Sequence, residues 1–501
     1  MSEYLLLTGS TGLLGRYLIR DLLLGGHRLA VLARPSRRES AADRIEAIMQ
    51  MWEAELGRLL PRPICLEGDI CEEGLGLHAS SRKWVADHCS KMLHSAASLA
   101  FHADDSGEPY RSNVGGTKNM LALCRETGIR DLHYVSTAYV CGLRGDAARE
   151  DELDVGQEFR NDYERTKLEA ETLVRQADFL EQLTVYRPTV ISGDSKTGYT
   201  NTYHGLYLYL RLMAILVPQQ GLDADGRRYT PIRLPMTGDE RRNVVPIDWV
   251  SEVITHLFQT PEAHGHTFNL APEKCLTPRQ IIDAGYKFFD STGVQYVGDQ
   301  VVDPGTFNRF ESEFLSSIGM YDNYKATDPT FDCTNLKKFA GHFPCPVIDE
   351  SMLHQYIRFG QEDRWGKRKA PKTHVDISMG EYLEAVSGGL FEDAMNRTTR
   401  ITADAAPDEL RVALDVSGAG GGQWSLDFQG KMLLRVEPGL PNTFDAQLCL
   451  TIADVRRILD ESKDVAVNTV VQNRQTFGAS RDDLPRAVAS IFTNSNVKSV
   501  A

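Results

Sequence analysis

The sequence has no apolar run long enough to cross a membrane. Its longest apolar stretch, residues 206–217, covers 12 residues and is interrupted by Arg211, whereas a membrane-spanning helix needs about 20. The amino terminus, MSEYLLLTGS, lacks the basic region and the small-residue cleavage site of a signal peptide. We therefore expect a cytoplasmic protein without a membrane span.

The sequence also lacks an excess of positive charge and a regular cysteine spacing. Lys and Arg number 55 against 69 Asp and Glu, a formal net charge of −14, so a general attraction to nucleic acid is not expected. The nine cysteines are scattered, which suits a reducing compartment. With 501 residues, 42% of them hydrophobic and 25% charged, the composition is that of a globular chain of two or three domains.

Short apolar runs alternate with amphipathic stretches from Tyr4 to about Gly205. Short strands separated by helices predict a parallel sheet covered on both faces, which is the doubly wound Rossmann-type α/β class. Residues 196–242 interrupt this alternation with Tyr-rich and Gly-rich sequence, which predicts a substrate cap inserted at the carboxyl end of the sheet. The α/β pattern then resumes and continues through helical segments to about Phe359.

A polar, basic segment that carries Pro371, residues 361–374, predicts a linker between two domains. Residues 1–360 form the predicted α/β domain. Residues 375–501 predict a small α+β domain with a helix over about 379–395. Its other predicted elements are the strands ELRVALDV, QWSLDF, KMLLRV and DAQLCLT and the helices TIADVRRILDE and DLPRAVASIF.

A glycine-rich turn, TGSTGLLG, follows the first strand directly and opens a helix. In that context the spacing predicts a dinucleotide site: Gly9 permits the tight turn, Gly12 lets the backbone approach the pyrophosphate, and Gly15 lets the helix pack close. The alternative is a glycine-rich turn without a ligand. The residues of this turn that are predicted to bind are Gly9, Ser10, Thr11, Gly12, Leu13, Leu14 and Gly15.

The second strand ends in Arg34 rather than in an acidic residue. An Asp or Glu there accepts from the ribose 2′-hydroxyl of NAD, whereas an arginine meets the 2′-phosphate of NADP. Arg34 therefore predicts NADP(H). Arg37 and Arg38 either lie in a solvated loop or contact the cofactor, and the sequence leaves both alternatives open. The ends of the third and fourth strands are predicted to complete the cofactor cleft. The third ends with an acidic side chain that can reach the adenine, and the fourth ends with small residues that leave room for the dinucleotide. They supply Asp69, Ile70, Ser95, Ala96 and Ala97.

Tyr163 and Lys167 lie four residues apart near the start of a predicted helix, so they share one face. A cation there can lower the pKa of a phenol from about 10 toward the working range, which would make Tyr163 a usable acid or base. The upstream strand end, VSTAYVCG, is expected to present Thr137 or Ser136 beside this pair. Cys141 in the same segment is interpreted as a small buried hydrophobe.

Together, the glycine turn, the hydroxyl-bearing strand end and YxxxK resemble the extended branch of the short-chain dehydrogenase/reductase superfamily, over about residues 4–290. The resemblance places Thr137 at the catalytic Ser/Thr position, with Ser136 as the near alternative. It places Asn113 where an asparagine supports the active-site lysine through water. Thr137, Tyr163 and Lys167 are therefore the predicted catalytic residues.

Within that superfamily the sequence is most similar to the thioester reductase group, which includes reductase domains of carboxylic acid reductases and peptide synthetases and the fatty acyl-CoA reductases. The segments that carry this likeness are LEGDICEEGLGL, HSAASLAFH, VLARPSRRESAADRI, YRPTVISGDSKTGYTN and NVVPIDWVSEVI. By this likeness Arg44 joins Arg34 at the cofactor, and further cofactor contacts come from Pro188, Thr189 and Val190.

The resemblance implies NADPH-dependent reduction of an acyl thioester, on CoA or a carrier protein, to an aldehyde, with further reduction to an alcohol left open. Thr137 and Tyr163 would hydrogen-bond the carbonyl oxygen as charge develops, while Lys167 would hold the nicotinamide ribose and tune Tyr163. Because Met1 directly precedes the first strand, we expect no attached adenylation or carrier domain and an acyl substrate that arrives in trans.

Two other functions fit the same residues. An NADP-dependent dehydrogenase of a bulky secondary alcohol or ketone, such as a sterol, would use the catalytic set unchanged. A non-catalytic NADP-binding redox sensor would not need that complete set. No metal is expected, because neither His94 nor His102 belongs to an HxH or HExxH spacing.

Two features stay open at this level. The series Tyr199, Tyr203, Tyr207 and Tyr209 fits either a lipid tunnel or a helix that packs on its own domain. The C-terminal strands, beginning with GQWSLDF, resemble the sterol carrier protein 2-like fold, which implies an apolar slot for a lipid or acyl chain. The alternative for that domain is dimerisation or scaffolding, in which case the protein would be a homodimer.

Overall fold

The computed structural model describes residues 4–36, 39–57, 60–298, 300, 302–319 and 326–368, and then 409–417, 422–429, 432–438, 444, 446–451 and 468–471. The chain divides into two compact units. The first comprises Met1–Ile45 and Cys65–Pro371, and the second comprises Glu46–Ile64 and Lys372–Ala501. None of the helices in these described ranges has both the length and the apolar content that a bilayer crossing requires.

The strands up to residue 296 are β1 (Tyr4–Thr8), β2 (Arg28–Ala33), β3 (Ile64–Glu67), β4 (Cys89–His94), β5 (Asp131–Val135), β6 (Gln182–Pro188), β7 (Val190–Ser192), β8 (Arg228–Leu234), β9 (Val244–Pro246), β10 (Thr267–Leu270) and β11 (Ser291–Tyr296). The helices are α1 (Leu13–Leu24), α2 (Ala41–Leu56), α3 (Ala79–His88), α4 (Gly116–Thr127), α5 (Asp162–Arg175), α6 (Leu206–Leu216), α7 (Ile247–Gln259), α8 (Pro278–Phe288), α9 (Arg309–Ile318), α10 (Thr334–Ala340) and α11 (Glu350–Glu362).

The central sheet confirms the predicted Rossmann-type class. Seven strands lie in the order β10-β6-β5-β4-β1-β2-β3, and the pairings of β1 with β2 and β4, of β5 with β4 and β6, and of β6 with β10 are parallel. All five residues of β1 are buried, as expected for a strand covered on both faces. The strand order reverses at β1, and ligands bind in such sheets where the carboxyl ends of the strands diverge.

The cap is larger than the predicted insertion of residues 196–242. Its apolar core joins α6 to α8, α9 and α11, for example through Met213, Ile282, Phe314 and Tyr356. Helix α6, LYLYLRLMAIL, is apolar almost all round, so it needs packing partners on more sides than the insertion supplies.

The sequence-based expectation of helical segments from residue 270 to 359 is wrong at one place. Residues Ser291–Tyr296 form β11, which pairs in parallel with β8 of the cap. The segment STGVQY is short and rich in residues that suit a pleated surface, and its pairing with a distant strand is a tertiary feature. The cap therefore contains a small two-stranded sheet as well as helices.

The first residues of the predicted linker are ordered parts of the first unit. Helix α11 continues to Glu362, and the ring of Trp365 lies 5.6 Å from that of Tyr203. Residues 369–374 of the predicted linker lie outside the described residues.

In the C-terminal region the structure describes β12 (Glu409–Ser417), β13 (Gly422–Gln429), β14 (Met432–Pro438), β15 (Ala446–Thr451) and β16 (Asn468–Val471). They form one sheet in the order β14-β13-β12-β15-β16. The four predicted strands correspond to β12–β15, while β16 was not predicted. Val412, Leu414 and Leu426 are buried. The predicted helices over about 379–395, in TIADVRRILDE and in DLPRAVASIF fall outside the described residues.

Candidate active site

The glycine turn lies at the carboxyl end of β1 and leads into α1. Gly9 has a φ of 75°, which favours glycine, and a Cβ there would stand 2.7 Å from the Ala96 amide nitrogen. A Cβ on Gly15 would collide with the carbonyl oxygen of Gly9. Gly12 is the N-cap of α1 and provides no side-chain capping bond. The turn can therefore hold a phosphate against the backbone amides of a helix N-terminus.

A cavity of about 670 Å³ opens beside this turn, at the carboxyl ends of the central strands. The residues predicted to bind or act that line it are Gly9, Gly12, Leu13, Leu14, Gly15, Ser95, Ala97, Thr137, Tyr163, Lys167, Pro188, Thr189 and Val190. The predicted residues that do not line it are Ser10, Thr11, Arg34, Arg44, Asp69, Ile70, Ala96 and Asn113. Ser136, the near alternative to Thr137, also lines the cavity.

The three predicted catalytic residues reach the cavity from two elements. The Asn161 side chain caps α5 by accepting from the Glu164 amide at 3.0 Å, so Tyr163 lies in the first turn and Lys167 one turn later. Thr137 follows β5, and its Oγ1 accepts from the Tyr139 amide at 3.3 Å. The strand end and the helix start therefore present hydroxyls and an ammonium to the same space.

The pKa of Tyr163 is shifted in the direction opposite to the sequence-based expectation. Burial raises the pKa of Tyr163 to about 12, although a hydrogen bond with Thr137 lowers it. The Lys167 ammonium donates to the Val135 carbonyl at 2.9 Å and lies 4.8 Å from the ring centroid of Tyr134. Lys167 is thus fastened to the strand end, and Tyr163 stays a protonated phenol that can donate a proton.

Lys167 itself is strongly affected by its surroundings. Burial lowers the pKa of Lys167 to about 8, and the nearby Glu171 carboxylate opposes this shift. Glu171 is fully buried and is bound by Arg187 at 2.6 Å and Arg175 at 2.7 Å. The ammonium form of Lys167 is therefore the major one at neutral pH and is lost as the pH rises through about 8.

Asn113 lies on a π-helical turn, Arg111–Gly115, that precedes α4. Its Oδ1 accepts from the Ser98 amide at 2.8 Å, and its Nδ2 donates to the Thr166 hydroxyl at 3.1 Å. Asn113 therefore ties the loop after β4 to α5, next to Lys167 in sequence. Such π-helical turns occur frequently at functional sites.

His94, at the end of β4, is hydrogen-bonded to Thr8, the residue that precedes Gly9 of the glycine turn. Its Nδ1 is hydrogen-bonded to the Thr8 hydroxyl at 2.8 Å, and the Thr8 oxygen also accepts from the amides of Ser95 and Ala96 at 3.3 and 3.4 Å. Burial, together with the charge of Lys167, lowers the pKa of His94 to about 3. In the structure His94 is therefore a neutral buried imidazole that joins two strand ends.

This shift predicts a loss of stability in acid. Between pH 6.5 and about 3 only the unfolded state protonates His94, so stability falls as the pH drops through this window. Between pH 8 and pH 5, protonation of His94 in the unfolded state should lower the free energy of unfolding by about 2 kcal/mol. Denaturant unfolding of the wild type and of His94→Gln at both pH values measures it. From pH 8 to pH 5, the free energy of unfolding of the variant should fall by about 2 kcal/mol less than that of the wild type. Equal decreases would show that His94 is not the titrating group.

Three arginines gather beside the glycine turn. Arg44 donates to the Arg34 carbonyl at 2.5 Å, and Arg16 donates to the Thr11 carbonyl at 3.2 Å. Burial lowers the pKa of Arg44, and the charges of Arg34 and Arg16 lower it further. Arg16 was missed in the sequence analysis, although its place directly after Gly15 could have indicated it. Arg37 and Arg38 lie outside the described residues.

Arg34 is 63% exposed and forms an ion pair with Asp69, with 3.3 Å between Nη1 and Oδ2. The other oxygen of Asp69 accepts from the Cys71 amide at 2.9 Å. Asp69 was predicted to reach an adenine amino group, and in the structure its carboxylate is engaged by Arg34 instead. Ser10 is also turned away from the cavity, because its hydroxyl donates to the Leu32 carbonyl at 2.8 Å.

The far wall of the cavity is apolar and comes from the cap. Tyr207 and Tyr209 line it, whereas Tyr199 accepts a hydrogen bond from Arg16 and Tyr203 donates to Asp363. Two of the four tyrosines therefore line the cavity, and the other two bond within the first unit. The other apolar lining residues of the cap are Leu206, Leu234, Met236, Ile281, Ile282, Phe314 and Ile318.

Cys141 does not line the cavity. It is buried, and burial raises the pKa of its thiol to about 12. The lining also includes a guanidinium and a carboxylate that the sequence did not single out, from Arg242 and Asp328. The Asp328 carboxylate accepts from the Tyr139 hydroxyl at 2.9 Å, and its place in the sequence gave no signal because 189 residues separate it from Tyr139.

Residues 7–254 match the model of an NAD-binding family described as male sterility protein. Among curated proteins, the chain is similar to the non-canonical nonribosomal peptide synthetase hkm10 of Aspergillus hancockii. The two are 23% identical over 396 residues, and this alignment covers 70% of this chain and 36% of that protein. The chain is 25% identical over 395 residues to the aldehyde reductase lnaA of Aspergillus flavus, over 71% of this chain and 36% of that protein. The chain thus spans about a third of the length of these relatives.

Among solved structures, the chain is similar to the terminal R domain from the myxalamid PKS-NRPS biosynthetic pathway. The TM-score is 0.58 at 25% sequence identity, and the match covers 74% of this chain and 92% of that one. The parallel sheet and its flanking helices are therefore those of a reductase-type nucleotide-binding fold. The aligned part resembles the thioester reductase group, as the sequence motifs indicated.

Proposed function

We propose that this chain is an NADPH-dependent reductase of acyl thioesters. The observation that carries the proposal is one cavity that joins the glycine turn, the set Thr137, Tyr163 and Lys167, and an apolar wall from the cap. The similarity to a terminal R domain and to an aldehyde reductase supports the same class of reaction.

The residues present fit a nicotinamide dinucleotide. The positions of Gly9 and Gly15 leave no space for a side chain, the N-terminus of α1 faces the cavity, and Ser95 and Ala97 keep the strand ends open. Lys167 would hold the nicotinamide ribose. When bound, the reduced cofactor supplies a hydride.

The chain's own residues would then prepare the substrate carbonyl. The hydroxyls of Thr137 and Tyr163 would donate to the carbonyl oxygen, where negative charge develops during reduction. Because Tyr163 is protonated at neutral pH, it can pass its proton to that oxygen. The apolar residues of the cap would exclude water and cover the acyl group. Collapse of the resulting hemithioacetal would release the thiol and an aldehyde.

A panel of carbonyl substrates tests this proposal. Purified protein is mixed with NADPH and, in separate reactions, with acyl-CoAs, ketosteroids and aldehydes, and NADPH oxidation is followed by absorbance. Oxidation with an acyl-CoA, accompanied by free CoA, supports a thioester reductase. Oxidation with ketosteroids alone would favour the secondary-alcohol dehydrogenase, and binding of NADPH without oxidation on any substrate would favour a redox sensor.

We also propose that Arg34 and Arg44 select NADPH over NADH. Arg34→Ala should weaken NADPH binding by on the order of 2 kcal/mol and leave NADH binding nearly unchanged, because only NADPH carries the 2′-phosphate. Dissociation constants for both cofactors measure this. A control is Arg82→Ala on α3, whose side chain binds Glu126 and the Leu77 carbonyl. If Arg34→Ala weakened the binding of NADPH and NADH equally, Arg34 would not recognise the 2′-phosphate, and Arg44, Arg37 or Arg38 would be the candidates for that role.

For partners, we propose an acyl substrate delivered by CoA or a separate carrier protein, and no nucleic acid. For the C-terminal region we propose that the β12–β16 sheet belongs to a sterol carrier protein 2-like domain that gathers an apolar chain. A dimerisation domain is the alternative. Sedimentation of the full-length protein, together with its affinity for a fluorescent fatty acid, distinguishes these two roles.

A further inference from the structure

A buried histidine outside the active site has a ring nitrogen without a hydrogen-bond partner. His133 on β5 is 0% exposed, and no described residue bonds to its Nε2. Its Nδ1 is hydrogen-bonded to the Tyr186 hydroxyl at 2.8 Å. Asp131 lies two residues earlier on the same face of the strand. Its buried Oδ1 faces His133 Nε2 as an ion pair, and neither atom has another partner in the described ranges. Buried polar atoms are normally paired, so this pair indicates a ligand.

The distance between these two atoms is informative. His133 Nε2 and Asp131 Oδ1 are 3.4 Å apart, at the long end of the range for an ion pair with an N–H···O hydrogen bond. It equals the separation of two ligands on a tetrahedral metal ion, since bonds of about 2.1 Å give a ligand-to-ligand edge of about 3.4 Å. These two atoms therefore already stand at the spacing that a bound ion requires.

A third side chain completes the group. The candidate ligand atoms of Asp131, His133 and His264 all lie within 4.8 Å of one another. His264 Nε2 lies 2.9 Å from the Phe258 carbonyl oxygen. Because a carbonyl only accepts, Nε2 carries the hydrogen and Nδ1 keeps its lone pair for an ion. In metal-binding histidines the nitrogen that does not bind the metal usually donates a hydrogen bond to a carbonyl or carboxylate oxygen.

The remaining oxygen of Asp131 is occupied by a lysine. The Lys91 ammonium lies 3.0 Å from Asp131 Oδ2, which orients the carboxylate and leaves Oδ1 turned toward the His133 imidazole. Two imidazole nitrogens and one carboxylate oxygen form a donor set that suits first-row divalent ions, Zn²⁺ in particular, with the fourth position left to water.

We propose that Asp131, His133 and His264 form a binding site for a divalent first-row transition metal ion such as Zn²⁺. The site lies at the amino end of β5, whereas Ser136 and Thr137 follow the carboxyl end of that strand. The ion would therefore have no part in reduction. It would tie β5 to the segment between α7 and β10 and stabilise the folded state.

The expectation of no metal rested on the spacings around His94 and His102. Residues His264-Gly265-His266 form an HxH spacing elsewhere in the chain. The other two ligands stand about 130 residues earlier in the chain, and only the pairing of β5, β6 and β10 in one sheet brings the two segments together.

Zinc binding by the full-length protein tests the proposal. Protein freed of metal with a chelator is titrated with Zn²⁺ by calorimetry, and thermal unfolding is followed with and without the ion. We expect one tight equivalent per chain and a rise of several degrees in the unfolding temperature. His264→Gln should weaken this equivalent at least tenfold and abolish the temperature rise. His266→Gln, which alters the neighbouring histidine outside the group, should retain both.

Free thiols, such as the partly exposed Cys71 and Cys275, could also take up Zn²⁺. The spectrum of the Co²⁺-loaded protein distinguishes the sites, because nitrogen and oxygen ligands give no sulfur-to-metal charge-transfer band. Asp131→Asn provides a second variant with little change in volume. The proposal is overturned if the wild type binds no more Zn²⁺ than His264→Gln, or if the Co²⁺ spectrum shows thiolate ligation.

Discussion

Replacing Tyr163 by phenylalanine is expected to lower turnover about a hundredfold or more while NADPH binding stays within about twofold. The phenol is half-buried at the cavity, and desolvation raises its pKa to about 12, so it is protonated and would be able to donate to the carbonyl oxygen. Phenylalanine keeps the ring and removes only that donor. Single-turnover rates and cofactor dissociation constants measure the two effects separately.

A matched control is available in the cap. Tyr286 is buried, and its hydroxyl donates to the Thr230 carbonyl at 2.9 Å, but it does not line the cavity. Tyr286→Phe therefore removes a buried tyrosine hydroxyl without touching the site, and we expect turnover close to that of the wild type. If Tyr163→Phe kept activity within twofold of the wild type, Tyr163 would not be the proton donor.

Replacing Lys167 by methionine is expected to weaken NADPH binding and to lower turnover by about a hundredfold. Methionine is similar in length but carries no ammonium, so the ribose would lose the charged partner proposed for it, and the Val135 carbonyl loses a donor at 2.9 Å. The pH profile adds an independent readout. Because the pKa of Lys167 is about 8, the wild-type kcat/KM should fall above pH 8, and that fall should be missing in the variant.

The control for Lys167 lies on the same helix. Arg165 is exposed and pairs with Asp162 and Glu169, and such surface ion pairs contribute little to stability. Arg165→Met should leave both kcat/KM and the pH profile unchanged. Urea unfolding of the two variants checks that each is folded. A Lys167→Met enzyme with the wild-type pH profile would show that another group titrates near pH 8.

The parts of the fold that local sequence determines were predicted well. The strand, turn and helix at residues 4–24 follow from an apolar run, three spaced glycines and an amphipathic stretch. The short apolar runs that became β2, β4 and β5 form a sheet because both of its faces are covered. Tyr163 and Lys167 share a face because one helical turn separates them.

The parts that depend on distant contacts were not predictable in the same way. Helix α6 looks like a single insertion in the sequence, but its packing partners lie on α8, α9 and α11. The spacing of Tyr163 and Lys167 placed them together, yet it could not show that Lys167 would bond to the Val135 carbonyl. Asp69 appeared free to meet an adenine, and only its distance to Arg34 shows that it is paired.

The measurement that tests the proposed reaction most directly uses NADPH deuterated at C4 of the nicotinamide. The full-length protein is incubated with this cofactor and a long-chain acyl-CoA, and the products are analysed by mass spectrometry together with an assay for free CoA. We predict an aldehyde or alcohol that carries deuterium on the former carbonyl carbon, with CoA released in equal amount. The account would be contradicted if the acyl-CoA released no CoA and took up no deuterium while a parallel incubation with a ketosteroid transferred deuterium to the ketone carbon.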